Sequence, residues 1–324
     1  MNTLRSVFWN DYEGRFRAGY RIVLQLATFF AVWNGLRFLV GSIPGAPAEI
    51  ASDTPLWFFL ILGIIRLLRV LVSVWLVGRF LDRRPFKNFG LRIRKGWWTD
   101  LGFGLGLGVL LMGMLFAIEL AAGWVTITET LRVASPERSF VLSILVFLFV
   151  FLCVGFSEEL FYRGYHLTNL AEGLNFKSRG PKYAIVFALA LSSVLFGAFH
   201  LGGPDANLLG ELNIVLWGIL FGISYAVTGR LGIPVGIHVA WNFLQGNVFG
   251  LPVSGATFPA GAVTFIATDQ RGPELWTGGP FGPEAGLLCS CALVVGVLLT
   301  VGWVRLRYGR LRLHVPSAQS PSMK

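Results

Sequence analysis

Eight long apolar runs decide what this chain can become. They lie near 21–41, 56–78, 101–123, 140–161, 183–201, 208–228, 232–250 and 285–304. Runs of about 17–25 residues are what an α-helix needs to cross a bilayer. Charged residues make up only 14% of the chain, against roughly 25% in a soluble domain, so a water-soluble globule is excluded. The fold expected is all-α, a polytopic membrane bundle of about eight transmembrane helices. The first run follows some twenty polar and basic residues and has no clear small-residue cleavage site, so it reads as a retained helix rather than a secretory signal.

The net charge of +10 reports topology. With the N-terminus inside, the inner segments hold Arg5, Arg15, Arg17 and Arg21. They also hold the basic connector 79–95, Arg163, Lys177, Arg179, Lys182, Arg230 and the basic tail from Arg305. Only Arg132, Arg138 and Arg271 fall in outer loops. That asymmetry places both termini in the cytoplasm and sets the basic side against anionic lipid as a partner. No nucleic-acid-binding motif accompanies the charge, and nucleic acid is not expected as a partner. Cys153, Cys289 and Cys291 lie in apolar runs without metal-site spacing and read as small buried hydrophobes.

The chain divides into N-terminal helices and connector (1–139), a helical core (140–250), and an outer loop with the last helix and tail (251–324). Trp97 and Trp98 suit the headgroup level. Gly104 and Gly108 have the small-xxx-small spacing that lets helices approach closely, whereas glycines two apart do not share a face. The loop 251–284 is rich in Gly and Pro. The tail from Val315 is expected to be disordered. No internal repeat is detected. Arg66 and Arg69 fall inside the second run. Snorkelling or a bundle carboxylate accounts for them, with Glu159 or a lipid phosphate as the functional alternative.

Against this background the polar residues stand out. Ser157-Glu158-Glu159-Leu160-Phe161-Tyr162-Arg163 closes the fourth run. A charge at the bilayer centre costs roughly 2.5–3.5 kcal/mol on insertion scales, so such groups line polar cavities and work there. Glu159 and Arg163 are one helical turn apart and can pair, which leaves Glu158, about 100° around the helix, free to act as a base and acid. His200 follows Phe196 by four residues and is preceded by Gly197 and Ala198. His238 and Asn242 share a helix face and offer hydrogen-bond donors to an oxyanion. Gly232, Pro234 and Gly236 loosen the start of that helix, which membranes tolerate where the backbone lines a cavity.

The three patterns, Glu158-Glu159-xxx-Arg163, Phe196-xxx-His200 and His238-xxx-Asn242, resemble the signature of the CPBP family of intramembrane proteases. That family is also called the Abi or CAAX-protease family and includes the eukaryotic Ras-converting enzyme. The resemblance covers roughly 140–250. It implies an intramembrane endopeptidase that hydrolyses a peptide bond of a membrane-associated protein or peptide, in a cavity of a helical bundle. Carried over, Glu158 and His200 activate the attacking water, His238 and Asn242 form the oxyanion hole, and Glu159, Arg163 and Phe196 support them. The family has been described as both metal-dependent and glutamic. Glu158, His200 and His238 could ligate zinc, but HExxH is absent, and the metal-free reading is favoured. The expected location is a bacterial cytoplasmic membrane.

Two other classes fit the residues less well. A non-catalytic scaffold or bacteriocin-immunity protein of the same fold has no need of four polar groups in apolar helices. A proton-coupled carrier also uses intramembrane Glu and His, but the inverted repeats that would support it are missing. One geometric difficulty stands. The runs put Glu158 near an inner end, His200 near an outer end and His238 in an inner third. A common depth requires the fourth helix to continue past Arg163 towards Leu170, or the seventh run to dip into the bilayer around Gly232–Gly236.

Overall fold

A computed structural model describes residues 3–11, 13–47, 50, 54–135, 137–256 and 263–319. A short helix α1 (Thr3–Phe8) and a two-residue ladder β1 (Trp9–Asn10) with β2 (Arg15–Phe16) precede the bundle. The long helices follow: α2 (Ala18–Gly41), α3 (Leu56–Phe80), α4 (Lys95–Ala121) and, after strand β3 (Val125–Val133), α5 (Phe140–Glu159). The last continues through a π-helical stretch, Leu160–Leu167, into α6 (Thr168–Gly173). Then come α7 (Gly180–Ala198), α8 (Leu208–Thr228) and α9 (Gly232–Phe243), which ends in a π-helical turn at Leu244–Val248. Strand β4 (Val263–Gln270), one-turn α10 (Glu274–Thr277) and α11 (Leu287–Tyr308) complete the fold.

Among the described residues seven helices are long and apolar enough to cross a membrane, and the chain is a multi-pass membrane protein. The expected seventh span, 232–250, takes a different form. It is a twelve-residue helix with every position from Gly232 to Trp241 buried. At about 1.5 Å per residue it is too short for a lipid-facing span of about 30 Å. It is instead the bundle's central rod, and glycines let it in. A Cβ on Gly104 would stand 2.3 Å from the Ile233 carbonyl oxygen, and one on Gly108 2.8 Å from that of Ile237. From the other side, a Cβ on Gly236 would stand 2.5 Å from Leu101 O. Gly102 and Gly106 meet nothing within 4 Å. The close packing expected of Gly104 and Gly108 is there, and its partner is α9.

The fourth helix resolves the depth difficulty. With the π-helical stretch it is one 34-residue element, Phe140–Gly173, so Glu158 falls near its middle rather than at its end. Ser139 caps its start, accepting a hydrogen bond from Leu142 N at 3.4 Å. Helix α8 is capped by Asn207 Oδ1 on Gly210 N at 2.9 Å and stops at Gly229, φ 65°.

One end of the bundle is pinned by buried ion pairs. Arg21 meets Asp82 at 2.6 Å and Glu172 at 2.8 Å, Arg15 meets Glu172 at 2.9 Å, and Arg84 also pairs with Glu172. Arg84 donates to Gln319 O and Asn175 to Ala318 O. The N-terminal segment, the basic connector and the chain's last described residues therefore sit on one face. The tail expected to be disordered is packed as far as Gln319, with Ala318 buried; residues 320–324 lie outside the described residues. Trp97 is also inside, donating its Nε1–H to Gly90 O at 3.1 Å, and only Trp98 is exposed. Cys291 is exposed, while Cys153 and Cys289 are buried. At the opposite end the expected loops pair: β3 and β4 form an antiparallel ribbon, an addition to the all-helical expectation that the apolar runs did not announce.

Candidate active site

Glu159 closes α5 with its side chain fully buried. Arg163 Nη1 donates to its Oε1 at 3.1 Å, the one-turn pairing expected from the spacing. The guanidinium also donates to Gly218 O at 3.2 Å and lies 4.4 Å from the centroid of Phe196 and 5.1 Å from that of Phe221. Phe196 is thus a lid on the ion pair. Glu158, one residue earlier, turns away into a cavity of about 630 Å³. Its Oε1 accepts from Arg66 at a long 3.5 Å, and its Oε2 has no hydrogen-bond partner among the described residues. The expected division of the two carboxylates, one held and one facing open space, is what the geometry gives.

His238 comes from the middle of α9, brought alongside α5 by Gly155, where a Cβ would stand 2.7 Å from Val239 Cγ2. Its Nδ1–H donates to Glu159 Oε1 at 2.9 Å. The ring stacks on Phe221 at 5.2 Å, only 7° from parallel. Its Nε2 is 3.8 Å from Glu158 Oε2, beyond hydrogen-bond length. His200 sits in the turn after α7, and its Nδ1 lies 2.7 Å from Phe196 O. A carbonyl oxygen can only accept, so Nδ1 carries the proton. When neutral, both imidazoles therefore keep Nε2 as a bare acceptor.

Glu158, Phe196, His200, His238 and Asn242 all line the one cavity. Most of its remaining walls are apolar, with Phe59, Val154, Ile214, Trp217, Phe221 and Trp241 prominent among them. Three sequence patterns, spread over 85 residues of chain, converge on a single cavity.

The segment carrying these residues is similar to a known family. Residues 140–244 match the family model of type II CAAX prenyl endopeptidase Rce1-like proteins. A curated relative in Bacillus subtilis (strain 168), the uncharacterized protein YyaK, is 24% identical over 208 residues, covering 63% of this chain and 64% of that protein. The chain thus spans just under two thirds of the relative's length.

Outside the Rce1-like segment the cavity gains residues that motif spacing did not reveal. From α3 come Arg66 and Arg69. Arg66 meets Glu158 rather than Glu159, because α3 packs on the face of α5 that Glu158 occupies. From the outer loop come Val253, Ser254, Ala256 and Glu284. Glu284 Oε2 accepts from Gln245 Nε2 at 2.7 Å and from Ser254 N at 3.1 Å, while Asn213 Nδ2 donates to Glu284 O at 2.8 Å. Gln245 also donates to Pro252 O. Burial pushes the Glu284 carboxyl up to about 7, against the opposing pull of those hydrogen bonds. This loop is the roof of the cavity. No sequence pattern marks it, because its residues are held by contacts between distant segments.

A zinc site was one expectation for Glu158, His200 and His238. Among the described residues no three His, Cys, Asp or Glu side chains are grouped so as to hold a metal ion.

Proposed function

We propose that the protein is an intramembrane endopeptidase of CAAX-protease type, hydrolysing a peptide bond of a membrane-associated protein or peptide in a bacterial cytoplasmic membrane. The observation that carries this reading is the convergence of Glu158, His200, His238 and Asn242 on one apolar-walled cavity. Hydrolysis inside a membrane needs a base, an oxyanion hole and an enclosed place for water, and this cavity offers candidates for each.

In this reading Glu158, with His200, takes a proton from water, and the resulting hydroxide attacks the scissile carbonyl carbon. His238 and Asn242 donate to the oxygen that becomes negative. His238 Nδ1–H is committed to Glu159, so its donor to the oxyanion is Nε2–H. The tetrahedral intermediate collapses as the C–N bond breaks. The proton taken from water passes to the leaving amine. Glu159 and Arg163 fix the His238 ring without touching substrate. Removing one oxyanion donor typically lowers kcat by about 10²–10³.

The test is cleavage of a peptide library, with and without a prenylated cysteine, by the purified protein in lipid. Wild type is compared with Glu158→Gln and His238→Ala, each with and without a zinc chelator. The reading expects cleavage by wild type, loss in both variants and no effect of chelator. Chelator sensitivity would move the water onto a metal. Cleavage unchanged in Glu158→Gln would remove the base from this scheme and favour a scaffold or immunity role for the same fold.

A further inference from the structure

Arg66 and Arg69 have no part in the scheme above. Both project into the cavity from the middle of an apolar helix. Arg66 is ten residues from Leu56, and Arg69 eleven from Phe80, so each lies about 15 Å or more from either end of α3. That is too deep for a guanidinium to reach the headgroup layer by snorkelling. Two charges at this depth are costly, and structural pairing accounts for at most one of them.

The charge balance shows the surplus. Arg163 is answered by Glu159 at 3.1 Å. Glu158 is the only carboxylate within salt-bridge distance of either α3 arginine among the described residues, and it meets Arg66 alone, at 3.5 Å. The Arg66 side chain remains 41% exposed. Arg69 has no salt bridge among the described residues. Its guanidinium lies over Phe29 at 4.8 Å and Trp33 at 4.4 Å, and its buried Nε has no hydrogen-bond partner. Glu284, the other acidic residue on the cavity wall, is occupied in the roof by Gln245 and Ser254. The α3 side of the cavity therefore carries one more positive charge than it answers. Stacking on Phe29 and Trp33 holds the Arg69 guanidinium in place, a preorganised plane with donors to spare.

We propose that Arg66 and Arg69 form an anion subsite that takes a carboxylate carried into the cavity by the peptide substrate, either at its chain end or on an acidic side chain. The proposal rests on the peptidase reading and names a feature of the substrate. A lipid phosphate is the less suitable occupant, because its headgroup lies at the interface and these arginines do not. A guanidinium pair and a carboxylate form charge-assisted, bidentate hydrogen bonds. As the carboxylate arrives, Arg66 exchanges its long contact with Glu158 for the substrate and leaves Glu158 free to face water.

The test uses acetylated random decapeptides in four forms, with the chain end as carboxylate or amide and the acidic side chains as Glu or Gln. The protein is held in phosphatidylcholine nanodiscs. Wild type is expected to prefer one carboxylate over its neutral counterpart by about tenfold or more in kcat/KM, carried by KM. The arm that shows the preference identifies the source. Arg69→Gln is expected to lose it, and Arg69→Lys, which keeps the charge, to retain most of it. Thermal unfolding confirms that each variant is folded. Equal cleavage of all four forms by wild type, or full preference in a folded Arg69→Gln, overturns the proposal. If wild type cleaves no form, the peptidase reading is what has failed. The subsite is then read from fluorescence anisotropy of the same peptides, and equal binding overturns it. Native mass spectrometry supplies the last arm, with phosphatidylglycerol added. Lipid bound by wild type and lost in Arg69→Gln, with no carboxylate preference, assigns the pair to lipid phosphate and overturns the proposal.

Discussion

His238 is held between two carboxylates, with Nδ1 2.9 Å from Glu159 Oε1 and Nε2 3.8 Å from Glu158 Oε2. One contact is a buried hydrogen bond and the other, longer than a hydrogen bond, reaches a residue of the cavity wall, so adjacent residues of identical chemistry should fail in different ways. Glu158→Gln is expected to lower cleavage at least about a hundredfold, the usual contribution of a positioned base, with little change in thermal unfolding. Glu159→Ala strands a buried Arg163 and should cost about 3–5 kcal/mol of stability as well as activity. Parallel melting curves and cleavage rates check this. The opposite pattern would exchange the two roles.

The α4–α9 interface predicts an alternation along one helix. Gly104→Ala places a methyl group against the Ile233 carbonyl and should destabilise by about 1–3 kcal/mol, as overpacking does. Gly102→Ala and Gly106→Ala meet nothing within 4 Å and should be neutral or gain up to about 1 kcal/mol of helix propensity. Detergent-solubilised unfolding of the three variants, at matched expression, tests the pattern.

The roof should depend on pH through Glu284. Its carboxyl is raised by burial to about 7 from an ordinary 4.5, so between those values the folded form binds more protons than the unfolded one. Stability is then greatest below about 4.5, falls as pH rises towards 7, and is level above that; a difference of this size amounts to about 3 kcal/mol. Amide exchange at Val253–Ala256, corrected for intrinsic rates, should be slower at pH 5 than at pH 8. Glu284→Gln should remove that dependence.

The buried cluster on the opposite face makes a stability prediction. Glu172 pairs with Arg15, Arg21 and Arg84, and Arg15 also meets Glu13 at 2.8 Å, so Glu172→Gln leaves three arginines facing Asp82 and Glu13. A cost of about 3–5 kcal/mol is expected. Arg84 also holds Gln319 O, so the tail should become sensitive to added protease while wild type resists.

Much of this was legible in the sequence, for reasons of periodicity. The Glu159–Arg163 pair, the outward turn of Glu158 and the packing role of Gly104 and Gly108 all follow from spacing along one helix. So does the membrane-spanning character of the long apolar runs. What escaped is what depends on partners far away in the chain. The run at 232–250 has the composition of a span, and hydropathy cannot tell a helix bathed in lipid from one wrapped in other helices. Glu159 as a partner for Arg66 and Arg69 is not what the fold provides, since Arg66 meets Glu158: chain spacing does not say which face of α5 a second helix will cover. The roof built by Gln245, Ser254 and Glu284, and the β3–β4 ribbon, join segments with no shared pattern.

The burial of α9 has a consequence for how the protein is made. A segment that shows lipid no side, and carries His238 and Asn242, gains little by partitioning into the bilayer alone. It must be received by a slot already built. Chain order supplies one, since α4 and α5 emerge from the ribosome well before Gly232. Assembly of the cavity is then a docking event that follows insertion. Substitutions that narrow the glycine-lined slot should yield a chain that is inserted, full-length and catalytically silent.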